Sequence, residues 1–244
     1  MMLDDILTVM WKERKSLLRY RGSRSRFLLV LLTPVLFATV FPWQWGPDWV
    51  QEMPSVILSI IMPVIVVGIT IPESFAGERE RHTLGTLLAS RLPDRAILFG
   101  KLAVAIALAW GLTLAVLLMS LATVNIAHWD GELLLYTPTI VFADLVLSFL
   151  LATLFSGAGV LISMRSETVQ QASQILMSIL LVPAMILQVI GLVLMTQDRD
   201  LVHKIASLDG EQLLLIVLAV LIPLTAGVLA AAVASFRRSR LALI

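Results

Sequence analysis

The chain has 244 residues, of which 59% are hydrophobic, against about 45–50% in an average soluble domain. The excess gathers into long uncharged runs of the length a bilayer core requires, about 20 residues, which leaves no room for a sizeable soluble domain. A net charge of +1 gives no ground for a nucleic-acid partner, and the lack of cysteine excludes disulfides, thiolate catalysis and cysteine metal sites.

Residues 1–26 are charged throughout and lack the pattern of a cleavable signal peptide. Leu3, Ile6, Leu7, Met10, Leu17 and Leu18 recur at helical spacing, with Asp4, Asp5, Lys12, Glu13, Lys15 and Arg19 away from them and Arg14 on the apolar face. This predicts an amphipathic helix lying in the membrane interface ahead of the first span.

Six apolar segments follow, at roughly 27–42, 54–72, 102–127, 133–163, 172–196 and 213–236. Trp43 and Trp45 after the first suit an interfacial aromatic belt. Pro63 predicts a kink in the second, and the fourth begins with interfacial turns near Tyr136. With six spans, every Lys and Arg among the 18 falls on one side of the membrane except Arg199 and Lys204. The positive-inside rule then puts both termini in the cytoplasm. No internal repeat and no low-complexity tract is evident.

The segment from Glu73 to Lys101 is a charged island between two apolar runs. Glu78, Arg79, Glu80 and Arg81 alternate in sign. From Thr83 to Leu92 a short helix is predicted, because Leu84, Leu87, Leu88 and Leu92 form one apolar stripe. Such a helix can dock into a groove on a soluble partner or lie on the membrane surface, and the residues alone leave both open. Gly100-Lys101 is not a phosphate-binding loop, since Arg95 and Leu102 stand where that motif needs Gly and Ser or Thr. Lys101 is read as snorkelling at a helix start.

The stretch Gly77-Glu78-Arg79-Glu80-Arg81-His82-Thr83-Leu84, followed by Leu87-Leu88, Pro93, Ile97 and Gly100-Lys101, resembles the first cytoplasmic loop of ABC-2-type transporter permeases. His82 stands where that family usually has glycine, and Gly85 where it often has glutamate. The resemblance implies a permease that pairs with a second permease, identical or not, and with two cytoplasmic ABC ATPase subunits holding ATP and Mg. It also implies that residues 73–101 form a coupling loop docked on the ATPase, with Glu78, Arg79, Glu80, Arg81, Thr83, Leu84, Leu87 and Leu88 touching or supporting the contact.

Asp144 is the one acid well inside an apolar segment, about 10 Å in if the span begins near Thr137. It can line a cavity, bind a cation or hydrogen-bond a neighbouring helix. Gln188 lies deep in the fifth segment, suited to interhelical hydrogen bonding; by the family resemblance it would face a pathway near the permease–permease interface. Ser156-Gly157-Ala158-Gly159 offers small residues for close helix packing. His82, His128 and His203 lie in three different loops without ligand spacing, so no metal site is expected. The ten methionines suit adaptable packing.

The expectation is an all-α polytopic membrane protein of one domain, residues 1–244, with six spans in the inner (plasma) membrane and lipids around it. It would be a non-enzymatic permease subunit of an ATP-driven exporter, with no cofactor of its own. Drugs, peptides, lipid-linked compounds, sodium and haem are candidate cargoes, haem through likeness to the permease of cytochrome c maturation. A proton-driven secondary transporter using Asp144 is the alternative; it calls for inverted repeats and several midplane polar residues.

Overall fold

The computed structural model describes residues 2–18, 24–83, 91–197 and 210–236. The described residues form eight helices: α1 (Met2–Leu18), α2 (Arg24–Trp45), α3 (Asp48–Gln51), α4 (Pro54–Glu80), α5 (Asp94–Ala127), α6 (Pro138–Ser163), α7 (Val169–Gln197) and α8 (Gly210–Ser235). Four of them, α4, α5, α6 and α8, are long and apolar enough to cross a membrane. The other two apolar segments of the sequence fall in α2 and α7, of 22 and 29 residues.

Helix boundaries overrun the apolar boundaries. α4 has 27 residues, about 40 Å at 1.5 Å per residue, against a hydrocarbon core of about 30 Å. Its surplus is the two turns Glu73–Glu80, so the acidic-basic run extends a span rather than starting a loop. α5 likewise begins at Asp94, two turns before its apolar stretch, directly after Pro93. The 73–101 segment is therefore largely helix at both ends. Leu84, Leu87 and Leu88 lie outside the described residues. α4 runs as one helix through Pro63 and Pro72.

α4 is the centre of the bundle, packed on α5, α6 and α7, while α6 also packs on α8 and α2 on α5. In its most apolar window α4 is 61% buried, against 22% for α8, so α8 keeps most of its apolar surface turned outward. Lipid tails are as apolar as leucine, so packing and hydrogen bonds must hold such helices together. The small residues of α6 serve that role. A Cβ on Gly159 would lie 2.8 Å from Ile71 of α4 and 3.2 Å from Leu176 of α7, and one on Gly157 would lie 3.1 Å from Val228 of α8.

The connections define two ends. At one end lie α1, the end of α4, the start of α5, the end of α6 and the start of α7. The end of α8 joins them, Phe236 meeting Phe75 edge-on at 6.0 Å. At the other end the 128–137 connection is clamped by Asn125, whose side chain donates to the Leu134 carbonyl and accepts from the Leu134 amide. There Thr137 donates its amide to Val50, beside the buried Trp49 of α3.

Candidate functional site

The four charges of Glu78-Arg79-Glu80-Arg81 go to four different places. Glu78 lies 3.0 Å from Lys101 of α5 and 3.0 Å from Lys12 of α1. Arg79 donates to the carbonyls of Met164 (2.6 Å) and Ser166 (3.2 Å), at the end of α6 where helical carbonyls lack partners. Glu80 accepts from the Val169 amide at the start of α7, where amides lack partners and the helix dipole favours an anion. Arg81, just past the end of α4, turns back about two turns to pair with Glu73. A short alternating run thus fastens the ends of α1, α5, α6 and α7 to the end of α4.

Lys101 is the hub. It is 2% exposed and donates to the Ser74 carbonyl at 2.5 Å and hydroxyl at 3.1 Å. Its ammonium also lies 3.3 Å from Glu13 and 5.0 Å from the centre of the Phe75 ring. Ser74 in turn donates to Glu13 at 3.0 Å. The snorkelling expected of Lys101 is therefore replaced by burial, because two carboxylates and a carbonyl compensate the ammonium where water does not reach.

Glu13 was legible only as part of the polar side of α1, yet it is 6% exposed. Among the described side chains of α1 the buried ones are Val9 and Glu13, one turn apart. This strip fits because Gly100 has no side chain: a Cβ there would lie 2.7 Å from Val9 and 3.2 Å from the Ile6 carbonyl. Of the broader stripe seen in the sequence, Leu3 (74% exposed) and Leu7 are exposed, Ile6 and Met10 are half-buried, and the side chains of Leu17 and Leu18 lie outside the described residues; Trp11 is exposed beside Leu7. The signal that could have found the strip is Gly100-Lys101 itself, a notch beside a cation.

α4 ends in a Schellman motif. The Thr83 amide donates to Glu78 and the His82 amide to Arg79, with His82 at φ 56°. The left-handed position that the motif reserves for glycine is here filled by histidine. Thr83 also donates its hydroxyl to the Glu78 carbonyl at 3.2 Å.

Asp144 stands apart from this end. It is 3% exposed. It accepts from Ser59 (2.8 Å) and Ser55 (3.2 Å), one turn apart on α4. Both carboxylate oxygens are engaged, so Asp144 joins α6 to α4. Gln188 lies in α7, and its side chain is outside the described residues. No cluster of metal-ligating side chains is found among the described residues.

The family of ABC-2 type transporters matches residues 4–192. The chain belongs to the ABC-2 type transporter family. It is accordingly a transporter permease and a multi-pass membrane protein. The matched region holds the whole Lys101 hub, the Glu78–Arg81 fastening and Asp144, and stops short of α8. No curated protein matches the chain.

Proposed function

We propose that this ABC-2 permease is the membrane-spanning subunit of an ATP-driven exporter, and that the charged end of the bundle is where partner ATPase subunits act on it. The observation that carries the reading is the fastening of four helix ends to α4 by Glu78, Arg79, Glu80 and Lys101. A push on the connection between α4 and α5 is then shared by α1, α5, α6 and α7, which suits a device that must move spans as rigid bodies. In this reading α2 and α7 also cross the bilayer, giving six spans. The sequence's basic residues place both termini and the charged end in the cytoplasm, and the membrane is the cell's inner (plasma) membrane.

ATP and Mg belong to the ATPase subunits, and the permease works with a second copy or a related chain. Its part is mechanical: ATPase closure acts on the charged end of the bundle, and the fastened helices tilt to switch access between the two sides. The scarcity of charged groups in the spans favours an amphipathic or apolar cargo. The engagement of both Asp144 oxygens by serines favours this reading over proton-coupled carriage through that residue.

The test is purification of the tagged chain from its own cells in gentle detergent, with identification of what accompanies it. An ATP-binding subunit that is retained by the wild type and lost on Leu84→Asp with Leu88→Asp supports the reading. A chain that purifies stably without any ATPase, and transports without ATP, overturns it.

A further inference from the structure

Beside the charged end, α1 and α5 enclose a groove of about 470 Å3 that the Lys101 hub does not use. Its walls are Leu7, Met10 and Trp11 from α1 and Val104 and Leu108 from α5, and its one charged lining residue is Arg14. Arg14 is exposed and has no carboxylate partner among the described residues; Glu13, next to it in sequence, is turned inward to Lys101. Lys15 lies next to it, its ammonium 4.6 Å from the centre of the Trp11 ring. The groove therefore joins an apolar channel to two cations at its rim, with no acid among its lining residues.

The groove's position selects its occupant. α5 is long enough to project beyond the hydrocarbon, and α1 crosses it at Gly100, where Val9 seats. From Gly100 to Leu108 is about 12 Å along the helix, so the apolar wall runs from the level of α1 into the depth of acyl chains. A guanidinium without a carboxylate partner among the described residues matches the phosphodiester of a headgroup, which it can bind through two parallel hydrogen bonds.

We propose that the groove between α1 and α5 holds one anionic phospholipid, its phosphate on Arg14 and an acyl chain along Val104 and Leu108. A bound lipid of this kind completes the seat of α1, covering the stripe that the protein leaves open. The inference rests on α5 crossing the bilayer with α1 at its surface, and is independent of ATP coupling.

The test is native mass spectrometry of the full chain, in its purified complex where partners accompany it, after exchange into equal amounts of phosphatidylglycerol and phosphatidylcholine. The wild type should retain one phosphatidylglycerol in preference by about fivefold, the effect of one basic residue at an anionic surface. Arg14→Gln should lose the preference and Arg14→Lys keep part of it, with thermal stability of both variants in detergent unchanged because Arg14 is exposed. Equal retention of the two lipids by the wild type, or a preference that survives Arg14→Gln, overturns the proposal.

Discussion

Glu13 and Lys101 form a buried ion pair, Oε1 to Nζ 3.3 Å, between a surface helix and a span. Removing one partner of a buried pair costs about 3–5 kcal/mol, because it strands the other charge. Lys101→Met should therefore sharply lower the thermal unfolding temperature in detergent, since it leaves Glu13 and Glu78 facing each other with only Lys12 nearby. Glu13→Gln should cost less, because Glu78 still compensates Lys101. Lys12→Ala should cost under about 1 kcal/mol, because the Lys12 side chain is half exposed and Lys101 still faces both carboxylates. If Lys101→Met unfolds with the wild type, the hub does not hold α1.

His82 at φ 56° offers a change that should stabilise. A non-glycine residue in the left-handed region costs about 1–2 kcal/mol, part of which glycine gives back through its freer unfolded chain. His82→Gly should raise stability by a few tenths to about 1 kcal/mol. His82→Val, with a branched Cβ in that position, should lower it. Calorimetry of the purified variants reads both, and the reverse order would show that the Schellman turn is not the state that limits unfolding.

How much of this was readable in advance differs between the two ends of α4. The spans, the small-residue stretch of α6 and the existence of a charged island are local patterns, so composition and spacing display them. The destinations of the island's charges are not local. Glu78 meets residues of α1 and α5, Arg79 meets the end of α6 and Glu80 the start of α7, and sign alternation cannot tell which helix end each charge will reach. α1 misled for a second reason. Leu3 and Leu7 of its apolar stripe are exposed, while the side chains buried among its described residues are Val9 and a glutamate, a strip that hydrophobic periodicity discounts. The extra turns at the end of α4 were missed because apolar runs report the thickness of the bilayer and not the length of a helix.

Asp144 can be separated into its two roles by paired substitutions. Asp144→Asn keeps an oxygen for Ser59 and should cost about 1 kcal/mol. Asp144→Leu leaves the hydroxyls of Ser55 and Ser59 without their acceptor, at about 1–3 kcal/mol for each buried polar group left unmade. Transport in vesicles should survive Asp144→Asn and remain independent of an imposed proton gradient. Transport that follows the gradient in the wild type and is abolished in Asp144→Asn, at unchanged stability, would move Asp144 from the frame of the bundle to its pathway.

Gly159 tests whether close approach, rather than polar bonding, sets the spacing of α4, α6 and α7. Its missing side chain admits Ile71 and Leu176, which are both fully buried. A Cβ 2.8 Å from Ile71 Cγ2 and 3.3 Å from its Cβ has little room to be relieved, since the second contact is next to the α4 backbone. Gly159→Ala should cost about 1–3 kcal/mol, the range for overpacking a filled interior, and Gly159→Val more. Gly111 has nothing within 4 Å of its Cβ position and sits in a helix interior where alanine is preferred by about 1 kcal/mol, so Gly111→Ala should be neutral or stabilising. Placing Gly159→Ala in an Ile71→Ala background should recover part of its cost if the clash is the cause, because Ile71→Ala removes Cγ2, the atom that the new Cβ would meet at 2.8 Å. No recovery in the double variant would mean that the cost lies in the backbone of α6 and that the spacing is set elsewhere, by the Asp144 bonds to α4.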